Sequence, residues 1–497
     1  MAQPSVLLGR STRTPVDNTA RRIVTLPGQP SVDFILTANC RIVNVGGRVS
    51  MTASDLPGQS GGTYEWSSSS TKIRLANTTG GTLAVEALTE PGTGRDSESI
   101  TVTRTGANGA KQTKVVLLTV ARVTFGPAAT QKYGYDDFDT PLITNDDHVS
   151  IMSDGETFVA VKIEGGAVGT DFNFVFDGVR TCTASPAPAA AVFDLHVRAR
   201  PWQKRMTVLS AKVKCPAQTS FAQITFHIYT ELVVNVLVAK VADARSAATA
   251  LRFATADYAT HEAAANEKLK EAVVRFEIEN FEAGNTVTNI PYDSDGTGTL
   301  TYDIAADGGA EFERIKSAFP VIENQFRVVI VRDMKSYYYV YRAVMRGARS
   351  ISLRGTDVFS SSMILGTGAT QEQVLVTHTS GNIAHLANPL SFDHAVGETM
   401  EFPAAAWSND PIIISEGSTS LPVTKWTILH EVGHRALKLD DIDDPMNFMN
   451  HNQENTDNRL RLCERNKHYA PGEKENQWDT IPRPAPETRT TRSADET

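Results

Sequence analysis

From about Ser31 to about Arg245 the chain alternates apolar and polar residues in short runs, and a period of two sustained over that length is the pattern of antiparallel β-sandwiches. The runs Val32-Asp-Phe-Ile-Leu36, Arg48-Val-Ser-Met-Thr52, Thr63-Tyr-Glu-Trp66, Thr82-Leu-Ala-Val-Glu86, Ser99-Ile-Thr-Val-Thr103 and Lys114-Val-Val-Leu-Leu-Thr-Val120 are parted by clusters of Gly, Ser, Asn and Pro. This spacing specifies a β-sandwich with Trp66 in its core. A second set, Thr157-Phe-Val-Ala-Val-Lys-Ile163, Phe172-Asn-Phe-Val-Phe176, Phe193-Asp-Leu-His-Val197 and Phe221-Ala-Gln-Ile-Thr-Phe-His-Ile228, predicts another sandwich.

The first of these stretches resembles a bacterial immunoglobulin-like domain, a class that spaces, presents or binds. The pattern changes at His261-Glu-Ala-Ala-Ala-Asn-Glu-Lys-Leu-Lys-Glu-Ala-Val-Val-Arg275, where Ala, Glu and Lys with apolar residues at helical intervals predict a helix. A new domain is expected from near Ser246. It continues through Gln325-Phe-Arg-Val-Val-Ile-Val331 and the aromatic run Tyr337-Tyr-Tyr-Val-Tyr341. Since 497 residues exceed one core, about three domains are expected. The boundaries read as a polar, disordered segment 1–29, sandwiches at 30–125 and 126–245, an α+β domain at 246–475 and a disordered Pro/Thr/Arg tail at 476–497.

The chemistry concentrates in Thr427-Ile-Leu-His-Glu-Val-Gly-His-Arg-Ala-Leu-Lys-Leu-Asp-Asp441 and the Asn447-Phe-Met449 that follows. On a helix, His430 and His434 share a face and can hold one metal ion, with Glu431 beside them as a general base. Zinc held by two imidazoles and a third protein ligand keeps a position open for water and lowers its pKa to about 7. Leu429, Gly433 and Ala436, with Val423 and Trp426, recur on the opposite side and predict a packed face. A pair of ordinary histidines on a core helix is the simpler alternative.

This segment resembles the metzincin metallopeptidases, whose pattern is H-E-x-x-H-x-x-G-x-x-H or Asp followed by a methionine-containing turn. The resemblance implies a zinc peptidase in which Asp440 is the third ligand and Met449 lies beneath the metal. Leu437 stands where that family has Gly, so a one-residue insertion would pass the ligand role to Asp441. Glu454 is a further alternative, at the separation that gluzincins use. His451 occupies the place of a tyrosine that stabilises the oxyanion in some members, and is expected to take that role. The order of helix and strands from Ser246 matches the family's N-terminal subdomain, and Asp410-Pro-Ile-Ile-Ile-Ser415 reads either as a substrate-binding edge strand or as a buried core strand. The segment Gly472–Pro482 looks like the endings of exported bacterial metallopeptidase effectors, including type VI effectors.

The resulting expectation is a zinc endopeptidase acting on peptides or proteins, behind two β-sandwiches. Made in a bacterial cytoplasm, it would be exported without a recognisable signal peptide, since Met1 to Gln29 is polar, and would meet a secretion apparatus or an inhibitory immunity protein. A metalloamidase acting on peptidoglycan and an inactive-peptidase adhesin or spike protein are the alternatives. The formal charge of −9 and the lack of a basic, aromatic-laced cluster argue against nucleic acid. No run approaches the roughly 18 apolar residues of a membrane span, and Leu232-Val-Val-Asn-Val-Leu-Val-Ala239 reads as a strand. Four cysteines form no C-x-x-C pair. Cys182 with Cys215, or four free thiols, are both open. The acidic groups Tyr135–Asp139 and Asp146-Asp147 read as turn carboxylates. Asp293-Ser-Asp-Gly-Thr-Gly-Thr-Leu300 reads as a hairpin turn, because an EF-hand would need Glu where Ile304 stands. His378, His385 and His394 read as loop residues.

Overall fold

The computed structural model describes residues 33–91, 97–137, 147–177, 181–201, 204–216, 219–251, 258–281, 286–303, 309–319, 321–322, 324–354, 362–403, 406–407, 410–416, 425–439, 449, 463–464, 475–476 and 481–483. They fall into two compact units, one of residues 1–122 with 164–167 and 215–217, the other of the remainder. In the first unit, alternation builds two four-stranded sheets. Phe34–Ala38, Arg48–Asp55, Thr82–Ala87 and Ile73–Ala76 form one, and Ile42–Val43, Lys111–Val120, Ser97–Thr105 and Thr63–Ser67 the other. Phe34 of one meets Tyr64 of the other edge to face at 5.7 Å. Trp66 is buried as expected, its indole N–H donating to the Gly80 carbonyl at 2.8 Å.

One charged group breaks this apolar interior. The Arg104 guanidinium is 3% exposed and meets Asp55 at 2.5 Å, while the Tyr64 hydroxyl donates to the same carboxylate at 2.6 Å. Those two donors hold Asp55 down to about 2, against an opposing burial effect.

The second unit opens with a five-stranded sheet, in the order Tyr135–Asp137, Asp147–Met152, Ser220–Tyr229, Lys204–Val213 and Phe172–Phe176. A four-stranded sheet of Cys182–Ala184, Val192–Ala199, Glu156–Glu164 and Arg122–Pro127 meets it through Phe125, Phe174 and Phe193. Asp136 is a buried edge-strand residue rather than a turn carboxylate. Cys40, Cys182 and Cys215 are all free thiols, so Cys182 and Cys215 do not pair. Burial, then the neighbouring Cys215 thiol, push Cys40 up to about 12.

A predominantly parallel sheet follows, in the order Val274–Asn280, Leu232–Ala242, Gln325–Val331, Ile412–Ser415 and Ala406–Trp407, with only the last strand antiparallel. It draws Leu232–Ala242 from before residue 246, because that strand's mostly apolar run, interrupted by Asn235 and Lys240, suits burial on both faces. Helices α1 (Tyr258–Leu269) and α3 (Lys425–Val432) cover one face. Val234, Val236, Val238, Val328, Ile330, Ile412 and Ile414 point to that side, whereas Ala239, Val241, Val329, Val331 and Ile413 enter a second core. Arg327, 3% exposed, reaches Asp410 at 2.5 Å and ties two strands together. Among the described residues, no helix is long and apolar enough to cross a membrane.

The second core belongs largely to further β structure. Asp333–Val340, Ser350–Arg354, Ile383–Leu386, Glu372–Ser380, Ser362–Leu365 and Thr399–Pro403 pair in that order, and the last pairs back to the first, closing a six-stranded ring. Thr299–Asp303 adds alongside, and helix α2 (Gly309–Ala318) packs against this core through Phe312 and Ile315. The α+β metzincin-like domain expected for 246–475 is therefore not what the chain shows. Between the third strand of the parallel sheet and its last two lies an all-β ring, and the described residues carry thirty-two strands against three α-helices. The protein is multidomain and mostly β.

His378 and His385 face each other across a strand pair, with rings stacked at 4.3 Å, rather than lying in loops. His394 is buried at one end of the ring. Its two ring nitrogens meet Glu372 at 2.8 Å and Glu398 at 2.6 Å. Burial raises both carboxyls, but the imidazole and backbone donors outweigh it, and both end below the usual glutamate range.

These charged groups set two expectations. Asp55→Asn leaves the Arg104 guanidinium buried without its counterion and should cost about 3 kcal/mol in a denaturant titration. Glu372 and Glu398 are depressed in the folded state, so their stabilisation is complete above the unfolded glutamate range and is lost as pH falls through their lower folded values. A pH series of thermal melts should show that acid loss in the wild type and a shallower one in His394→Gln.

Candidate functional site

Helix α3 is fixed by its apolar face. Ile428, Leu429 and Val432 are buried against α1 and the parallel sheet, which turns His430 and Glu431 out of the main apolar contact. The helix does not end at Val432. Gly433–Leu437 continues it as one wide π-turn, and Lys438 then takes a left-handed conformation at φ 58°. A π-turn accommodates one residue more than an α-turn, and such turns recur at functional sites. Leu437 is fully buried, and the chain reverses one residue later than a Gly at that position would allow.

This path brings the two predicted histidines together. His430 Nε2 and His434 Nε2 are 3.1 Å apart, with ring centroids at 4.7 Å and ring planes at 89°. His434 Nδ1 donates to the Leu439 carbonyl at 2.8 Å, which leaves its Nε2 as the lone-pair nitrogen. Two nitrogens each about 2.0–2.1 Å from one tetrahedral zinc lie roughly 3.3 Å apart, so the pair fits a shared ion. His430 is 4% exposed and His434 and Glu431 are partly exposed. Met449 is fully buried in the same core as Leu437 and Leu439. Asp440, Asp441, His451 and Glu454 lie outside the described residues.

Ile412–Ser415 is an inner strand, buried throughout, so the core-strand alternative holds and the edge belongs to Ala406–Trp407. The Leu439 carbonyl was beyond sequence reasoning because any residue carries one. A second polar group was also missed. Asp293, Asp295 and Glu311 offer oxygens that all lie within 4.8 Å of one another, because α2 delivers Glu311 to the Asp293–Gly298 loop. The hairpin reading considered only the loop's own twelfth position.

No known protein family matches the sequence, and no curated protein does. Solved structures similar to it include fibronectin(III)-like modules of Clostridium thermocellum CbhA, at 12% identity over 39% of this chain and 94% of that one, with a TM-score of 0.22. Three N-terminal domains of the Highly Immunogenic Outer Capsid protein of bacteriophage RB49 match at 9% identity over 76% and 88%, with a TM-score of 0.22. Murine CEACAM1b matches at 13% identity over 40% and 99%, with a TM-score of 0.16. The metzincin and effector resemblance is corrected accordingly. The described residues carry an all-β ring where an α+β peptidase domain was expected, and the residue that should be a turning Gly is a buried Leu437 inside a π-turn.

The His pair itself generates a prediction. Zinc added to the metal-stripped chain should bind near one equivalent by calorimetry, and His430→Ala or His434→Ala should weaken that binding at least about tenfold.

Proposed function

We propose that this modular β protein binds zinc at His430 and His434 and hydrolyses amide bonds in peptides or proteins. The observation that carries the reading is the 3.1 Å approach of the two Nε2 atoms, with one tautomer fixed by the Leu439 carbonyl. Bound zinc supplies Lewis acidity and a water of lowered pKa. Glu431 accepts a proton from the attacking water and delivers it to the leaving amine. His434, oriented through its Nδ1–H, presents Nε2 in register with His430. Asp440 is proposed as the third ligand, ahead of Asp441 and Glu454, and His451 as the donor to the oxyanion. An inhibitory partner belongs to this proposal.

A second reading is favoured by how much of the chain is β module. Here the protein is an adhesion or structural spike-like component, and the histidine helix is a catalytically idle remnant. The fibronectin(III)-like description of one similar structure and the outer-capsid description of another accord with this reading. Peptidoglycan is a third possible amide substrate for the same chemistry.

Zinc-loaded protein incubated with a denatured protein substrate, and separately with purified sacculi, decides among them. The hydrolase reading expects cleavage that falls at least about a thousandfold in Glu431→Gln while the zinc content is retained. Stoichiometric zinc without cleavage of either substrate selects the structural reading.

A further inference from the structure

Three carboxylates meet in the second unit, away from the histidine pair. Asp293 and Asp295 come from one loop and Glu311 from the first turn of α2; Asp293 and Glu311 are buried and Asp295 is exposed. Main-chain donors aim these groups. Gly296 and Gly298 N–H donate to Asp293 at 2.9 and 3.1 Å, Thr297 to Asp295 at 3.0 Å, and Ser294 and Thr301 to Glu311 at 2.7 and 2.9 Å. Each carboxylate still has lone pairs to offer.

Of the nearby guanidinium groups, Arg245 pairs with the Asp243 carboxylate at 2.7 Å and reaches the Asp293 main-chain carbonyl at 3.4 Å, and Arg314 donates to the Tyr292 carbonyl at 3.2 Å. An independent observation comes from Tyr292. Its side chain is fully buried, its hydroxyl lacks a hydrogen-bond partner, and of the four carboxylates whose charge acts on it, Asp293 and Glu311 act most strongly, ahead of Asp243 and Asp333. A buried phenol left unpaired is destabilising unless something is placed to meet it.

We propose that Asp293, Asp295 and Glu311 form a calcium site, with the Tyr292 hydroxyl completing it by contact with the ion or with one of its waters. An all-oxygen donor set of irregular geometry suits Ca²⁺, whereas Mg²⁺ demands a near-octahedral shell and zinc prefers nitrogen or sulfur. Bound calcium would pin the loop to α2, and through it the helix to the second core.

The test uses the whole chain stripped with chelator and then titrated with calcium chloride, read by calorimetry and by melting temperature. One equivalent of calcium with an upward melting shift is expected. Asp295→Asn, at an exposed position, should weaken binding at least about tenfold, and Tyr292→Phe by about tenfold. The calcium response should persist in His430→Ala, which separates this site from the zinc proposal. No binding at millimolar calcium, an equal response to magnesium, or full binding in Asp295→Asn would overturn it.

Discussion

Burial of the parallel sheet on both faces is the constraint on which the second unit depends. Leu232–Ala242 lies between Val274–Asn280 and Gln325–Val331, so its side chains alternate into two separate cores. Even-numbered residues from Val234 to Val238 meet the helices, and Ala239 and Val241 meet the β ring. A one-residue slip of register would exchange the two sets and leave both cores mispacked. The same alternation in Ile412–Ser415 seats Ile413 opposite Ile412 and Ile414, which sets the floor on which α3 rests.

From that floor the histidine site follows. Leu429 and Val432 anchor one side of α3, and the π-turn at Gly433–Leu437 supplies the extra residue that lets Leu437 and Leu439 return to the core. His434 is thereby held between a core-facing turn and the Leu439 carbonyl. The geometry of the pair is a consequence of packing, with no strain at the histidines themselves needed to explain it. Lys438 takes the left-handed conformation that the reversal requires, at a cost of about 1 kcal/mol for a residue with a Cβ.

Much of this was legible in the sequence because it rests on local periodicity. The strands of the first unit, Trp66 in its core, the body of helix α1 and the facing of His430 with His434 come from spacings of two or of four. Helix α1 nevertheless stops at Leu269, and the Val274-Arg275 expected in it opens a strand. The ring from Asp333 to Pro403 was not, because its closure depends on Thr399–Pro403 pairing with a strand far earlier in the chain. Short runs such as Ser362–Leu365 carry no signal of which partner they choose. The histidines of the ring were misread for the same reason, since His394 acquires its glutamates only through the fold. Asp293 with Glu311 shows the limit of motif reading. A pattern that fixes its last ligand at the twelfth position cannot register one supplied by a separate helix. The family resemblance failed at Leu437, where one residue's burial overrides the pattern around it.

Everything proposed for helix α3 turns on whether His430 and His434 grip a single ion. X-ray absorption at the zinc edge of the zinc-loaded full chain tests this most directly. Two imidazole nitrogens at about 2.0–2.1 Å are expected, with both lost from the spectrum of a His430→Ala, His434→Ala double variant. A shell made only of oxygen or sulfur, or an imidazole signal unchanged in the double variant, would contradict it.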